Sequence, residues 1–283
     1  LFETLFDDYN TLVKPRYNVS HIINVVVSFN LYSLSGIDEK QQRLTFTGWC
    51  SFKWKDEFLV WNRTEYGVDI LTISADKIWT PDIQIFNSDI NFGPIEVAPS
   101  RSLIYWNGSV GWYPGSKFST YCKINIRHFP FDSQMCNINA GLWSSMLDGV
   151  TLEGHQPIIF SSFEENSEWE IVYFKYSKVV SDYLLQYTIL LKRRYMFQIL
   201  NIILPIVILS LLTNLVFLLP VESGEKVSLS ISILLSYTVL ITLVVSVLPS
   251  NSDNVCLLAV YIISLVFLSA LSTLATVLVV YFH

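Results

Sequence analysis

The chain has 283 residues, a net charge of −6 and no basic run, so there is no electrostatic case for nucleic-acid binding. Hydrophobic residues make up 52% of it and mean hydropathy is +0.43, high for a soluble protein, with the apolar excess after Arg194. A chain of this length suggests about two domains.

Residues 1–14 place Leu1, Leu5, Tyr9 and Leu12 on one face, with Phe2 and Phe6 beside them. That predicts a short amphipathic helix, stopped by Pro15. No secretory signal precedes it, as expected of a mature or trimmed form. From Val19 the period changes to two. Ile23, Val25, Val27, Phe29 and Leu31 alternate with Asn24, Val26, Ser28 and Asn30, which predicts a strand. A turn follows over 36–41, then strands over 43–54 and 58–61. Further strands are predicted at 102–106, 108–113, 120–126, 133–140, 168–174 and 183–191. About ten short strands with turns between them predict an all-β, immunoglobulin-like sandwich. Trp61, Trp79 and Trp112 are read as its core.

Asn18, Asn62 and Asn107 each open an Asn-x-Ser/Thr sequon, which suits glycosylation of an extracellular domain. Cys122 and Cys136 can pair as a disulfide if this half lies in an oxidising compartment. Cys50 falls in a strand. Cys256 falls in an apolar helix and is read as a buried free thiol. His21, His128, His155 and His283 are scattered, with no metal-ligand cluster and no nucleophile–base arrangement. The chain is therefore not expected to be an enzyme or to hold a cofactor.

Arg193-Arg194 divides the chain into a β domain, 1–194, and a membrane domain, 195–283. Three uncharged stretches predict membrane spans at about 197–219, 226–248 and 255–281. The second is not apolar all round. Glu225, Ser228, Ser232, Leu235, Val239, Thr242 and Ser246 recur at steps of three and four, forming one helical seam. A polar seam suits a water-filled path or hydrogen bonding to neighbouring helices, and the stretch alone leaves both open.

The segment from Cys122 to Cys136, with Phe129-Pro130-Phe131-Asp132 inside it, resembles the signature loop of the Cys-loop receptors, the pentameric ligand-gated ion channels. Trp79-Thr-Pro81-Asp82, the link from Pro220 to Lys226 and the seam follow in that family's order. The nicotinic acetylcholine receptor branch is the most similar. The resemblance implies a plasma-membrane protein with an extracellular N-terminal domain, assembled with four further subunits as a homo- or hetero-pentamer. The family has a fourth span and an intracellular linker, which this sequence is expected to have lost by truncation or deletion.

The resemblance also implies residue roles. Glu225, Ser228, Ser232, Leu235, Val239, Thr242 and Ser246 would line a pore for monovalent cations. Leu235 and Val239 would form apolar rings that hold water poorly. Ser246 stands where many nicotinic subunits carry an acid, so a weaker outer charge ring is expected. The agonist, a small molecule such as a cationic amine, would meet Phe86, Trp143, Tyr176 and Tyr183 on one subunit. On the next it would meet Trp54, Leu103, Gly111 and Tyr113. Aromatic boxes suit such cations, at about 2 kcal/mol when desolvated. Phe86 stands where the family usually has Tyr, and the segment over residues 169–183 lacks the family's paired cysteines. Glu39 and Arg193 would couple binding to gating as an ion pair. Phe131 and Asp132 would press on the link around Pro249. The alternatives are a non-conducting accessory subunit with a degenerate agonist site and a secreted-type binding protein, the second opposed by the seam.

Overall fold

The computed structural model describes the chain except for residues 19, 91–92, 97–99, 144–148, 182, 221, 223, 249–253 and 283, and except for the side chains of 178–181 and 247. The N-terminal helix spans only Phe2–Phe6. Asp7 and Asp8 follow it, and acidic groups at a helix C-terminus oppose the macrodipole. The predicted face therefore splits. Leu1, Leu5, Phe6 and Tyr9 pack on the sandwich, whereas Leu12 is 90% exposed.

β1 (Ile23–Asp38) and β2 (Arg43–Val60) form a long hairpin. β2 absorbs both strands predicted between residues 43 and 61. In β1 the odd positions from Ile23 to Leu31 face the core, and in β2 the even ones do: Leu44, Phe46, Cys50, Phe52 and Trp54. Ten more strands are described: β3 (Ile70–Ser74), β4 (Ile83–Ile85), β5 (Arg101–Tyr105), β6 (Asn107–Trp112), β7 (Gly115–Tyr121), β8 (Ser133–Leu142), β9 (Val150–Gly154), β10 (Ile158–Glu164), β11 (Trp169–Ser181) and β12 (Leu184–Arg193).

One sheet has eight strands in the order β10-β1-β2-β6-β5-β3, with β7 pairing β2 and β9 pairing β1. The other has four, in the order β11-β12-β8-β4. Their apolar faces enclose a core in which Trp61, Trp79 and Trp112 are all buried. Two links tie the sheets together. Cys122, just past β7, is disulfide-bonded to Cys136 on β8. The buried Tyr187 hydroxyl on β12 donates to the Val27 carbonyl on β1 at 2.7 Å.

Three helices follow that are long and apolar enough to cross a membrane: Met196–Leu218, Lys226–Val247 and Leu257–Phe282. In the first, Ile199–Ile203 forms a wide π turn just before Pro205. A residue without an N–H breaks the regular hydrogen-bond ladder there.

Candidate functional site

Three groups of residues are candidates for the functional chemistry. The first lies where the sandwich meets the helices. Arg193, the last residue of β12, is 3% exposed. Its Nε donates to Asp132 Oδ1 at 2.8 Å, its Nη2 to Asp132 Oδ2 at 3.2 Å, and its Nη1 to Glu39 Oε1 at 2.7 Å. The guanidinium lies 4.2 Å over the Trp169 ring and 5.0 Å from that of Phe129. Burial alone would lower its pKa, but Asp132 and then Glu39 outweigh that and raise it.

Asp132 thus commits both carboxylate oxygens to Arg193. It is buried, and Gln134 also donates to its Oδ2. Phe131 is the exposed member of that pair, and its ring packs 5.1 Å from Tyr195 at the start of the first span. The Leu257 amide of the third span donates to the Arg127 carbonyl in the disulfide loop at 3.2 Å. Pro249 lies outside the described residues.

The second group is aromatic, on the four-stranded sheet. The rings of Phe86 and Trp143 are 6.2 Å apart, and both are well exposed. Gly141 makes this possible: a Cβ there would come 2.6 Å from the Tyr183 carbonyl and 2.7 Å from the Phe86 ring. The Tyr183 backbone thus lies beside Phe86 and Trp143, its carbonyl accepting from the Leu142 amide at 3.0 Å. Tyr176 does not. It pairs with Tyr187, three residues along β12 from Leu184, which faces Gly141. Its ring rests 5.5 Å from that of Tyr187 and over Gly154.

The other predicted contacts lie on the eight-stranded sheet. Leu103 pairs with Gly111, and Gly111 with Lys53, so this row faces outward together with Tyr113. Trp54 has the opposite parity. It is 4% exposed, pairs with the buried Val110 and packs edge-on to Trp79 at 5.8 Å. Trp49 of β2 has the outward parity and is half-buried, and its ring meets Phe160 of β10 at 4.8 Å. Strand alternation, counted from Leu44 and Phe46, would have found it.

The third group is the seam of the second span. Glu225, Ser228, Ser232, Leu235, Val239, Thr242 and Ser246 are all exposed, Leu235 to 63%. The opposite face, with Ser230, Ile233, Tyr237 and Val244, is buried. Ser230 makes the hydrogen bond to a neighbouring helix, at 2.7 Å to Thr273. The seam hydroxyls bond within their own helix, Ser232 to the Ser228 carbonyl and Thr242 to the Val239 carbonyl. Their oxygens keep free acceptor capacity. At the N-terminal end, Glu225 faces out, while Lys226 is buried and donates to the Leu219 carbonyl at 3.0 Å.

Asn18, Asn62 and Asn107 are exposed. Among the described residues no group of three or more His, Cys, Asp or Glu could hold a metal ion.

Residues 1–195 match the family model of the neurotransmitter-gated ion-channel ligand binding domain, and residues 202–283 that of its transmembrane region. The chain is 35% identical to the neuronal acetylcholine receptor subunit alpha-6 of Rattus norvegicus, over all of this chain and 59% of the relative. It is 34% identical to the alpha-9 subunit of Homo sapiens, over all of this chain and 61% of the relative. The chain thus spans about three-fifths of the length of these curated relatives.

Proposed function

This chain belongs to the family of neurotransmitter-gated ion channels, in its nicotinic receptor-like part, and on that premise we propose that it is one subunit of a cation-selective pentamer opened by a small extracellular ligand. It is a plasma-membrane protein with its N-terminal domain outside.

The observation that carries the pore is the sorting of polar groups on the second span. The hydroxyls used for helix packing, on Ser230 and Tyr237, lie on the buried face, while the seven seam residues face away from their own subunit. Five such seams around an axis would enclose a path. Leu235 and Val239 would narrow it with apolar rings that shed water when closed. Ser228, Ser232 and Thr242 would offer oxygens to a partly dehydrated ion. Five Glu225 carboxylates at one mouth would concentrate cations and repel anions. Ser246 adds no charge at the other mouth.

Phe86, Trp143 and Tyr183 lie on one sheet, and Trp49, Leu103, Gly111 and Tyr113 on the other. A ligand held by both sets would lie between two subunits. An exposed aromatic group suits an ammonium ion. Arg193, held by Asp132 and Glu39, would carry strain from the sandwich to the first span. Asn18, Asn62 and Asn107 would carry glycans.

Phe86 lacks a hydroxyl and Tyr176 turns away from the aromatic group, which favours as the second reading an accessory subunit with a degenerate agonist site. Expression of the full-length subunit alone, with currents recorded against small amines, tests the choice. Ligand-evoked currents whose reversal potential follows sodium support the channel. Reversal that follows chloride defeats cation selectivity. Currents only with a second subunit support the accessory reading.

A further inference from the structure

Asp56 is a fully buried carboxyl that the pore seam, the aromatic group and Arg193 leave unused. Its Oδ1 accepts from the Phe58 and Leu59 amides at 2.9 and 3.2 Å, and its Oδ2 from the Tyr9 hydroxyl at 2.7 Å. The Tyr9 oxygen in turn accepts from the Trp79 amide at 3.0 Å. Tyr9 therefore bridges β2 and the segment before β4. The short helix that precedes it, Phe2–Phe6, has no side-chain cap and packs on the sandwich through Leu1, Leu5 and Phe6. The Tyr9 hydroxyl is the polar tether of that helix.

The groups around Asp56 leave its proton to this network. Arg16 acts on it from the stretch before β1, but the Arg16 Nη1 is committed to Glu57 at 2.6 Å. Glu57 and Lys55, its neighbours on β2, have the opposite parity, and Glu57 also accepts from the Tyr17 amide at 2.8 Å. His21 acts on Glu57. β6 approaches at Gly108, where a Cβ would collide with the Asp56 carbonyl, and so brings no side chain. The segment before β4 meets the network through a backbone amide, that of Trp79.

With the carboxylate ionised, each of these donors has its acceptor. Oδ1 already holds two amides, so a proton taken up by Asp56 goes to Oδ2, facing the Tyr9 hydroxyl. Two O–H groups then point at one another. Whichever donates, the other hydrogen is left without an acceptor, which is costly in a buried site. Burial favours the neutral acid, against the Tyr9 bond, the two amides and Arg16, and brings the Asp56 pKa to about 6. We propose that Asp56 and Tyr9 form an acid-released latch: the carboxylate holds the N-terminal helix on the sandwich through Tyr9, and proton uptake at Asp56 loosens the helix and bares the apolar surface beneath Leu1, Leu5 and Phe6. The latch is independent of the pore and of the ligand.

The test is amide hydrogen exchange on the full-length protein in membranes. It is read by mass spectrometry on the peptide covering residues 1–9 and divided by the intrinsic chemical rate at each pH. The Leu5, Asp7 and Tyr9 amides there are bonded within the segment. Protection of the peptide should fall by about ten-fold between neutral and acid pH, the scale of one buried hydrogen bond, with its midpoint at about 6. Tyr9→Phe removes the hydroxyl alone and should show the low protection throughout. Asp56→Asn puts a neutral amide in place of the acid and should behave likewise. Glu3, Asp7 and Asp8 are present in all three proteins, so the comparison cancels them. Protection that stays constant with pH in the native protein overturns the latch. So does a fall of the same size in Tyr9→Phe. If Asp56→Asn does not fold, Tyr9→Phe decides alone.

Discussion

Arg193 and Asp132 form a two-pronged ion pair inside the protein, with Nε–Oδ1 at 2.8 Å and Nη2–Oδ2 at 3.2 Å. It joins the last strand of the sandwich to the disulfide loop, three residues before the first span begins. Removing one partner leaves the other charge buried and unpaired, at about 3–5 kcal/mol. Arg193→Gln should therefore reduce folded protein at the cell surface severely, as read by surface labelling. The milder pair Glu39→Gln and Arg193→Lys tests coupling. Their effects on channel opening should be non-additive by about 0.5–3 kcal/mol, and simple additivity would show that Glu39 and Arg193 do not act together.

Asp56 offers a test in pH. It is fully buried on β2 and accepts hydrogen bonds from the Tyr9 hydroxyl at 2.7 Å and from the Phe58 and Leu59 amides. Burial pushes its pKa up to about 6, against partial relief from Tyr9, those two amides and Arg16. The folded state thus holds the Asp56 proton more tightly than the unfolded chain does. Its contribution to stability is full below the unfolded value near 4 and is lost as pH rises through about 6, on the order of 3 kcal/mol in all. In Asp56→Asn that titration is gone. The difference in melting temperature between the two proteins should change across pH 4–6. Parallel curves would refute the assignment.

Trp49 and Trp54 separate function from stability on one strand. Trp54→Ala empties a buried site in the core and should cost about 3–5 kcal/mol, seen as a lower melting temperature. Trp49→Ala removes an outward ring. It should leave the fold largely intact and weaken the agonist response, with Trp49→Phe recovering part of it. The reverse pattern would return Trp54 to the binding surface.

Glu225 should set ion preference at the inner mouth. Glu225→Gln removes five carboxylates from the assembled ring and should reduce cation conductance by about ten-fold at low salt, with a smaller loss at high salt. Ser246→Glu should raise conductance by adding a second ring. Equal losses at low and high salt for Glu225→Gln would point to a change of shape instead of charge.

Much of this is legible in the sequence. The alternation from Ile23 to Leu31 marks a half-buried strand, and the three uncharged stretches mark spans. The seam of the second span lies on one face because steps of three and four do so on any helix. Other features depend on partners distant in sequence. β10 is exposed at nearly every position and so shows no alternation. Tyr176 is displaced from the aromatic group because irregularities in β11 shift its pairing with β12. The N-terminal helix ends early because Tyr9 leaves it for Asp56, 47 positions away. Trp54 is buried on the core side of β2 by strand parity, yet it still borders a cavity beside Lys53 and Gly111.

The turned lysine at position 226 has one more consequence. On paper, Glu225 and Lys226 cancel, and a ring of five such pairs would be electrically silent. In the folded chain the ammonium is withdrawn to cap a carbonyl left over at the end of the first span, and the carboxylate is left alone at the rim. In the proposed pore this would make the mouth a charge separator: the backbone screens one sign of the dipeptide, and passing ions would meet the other.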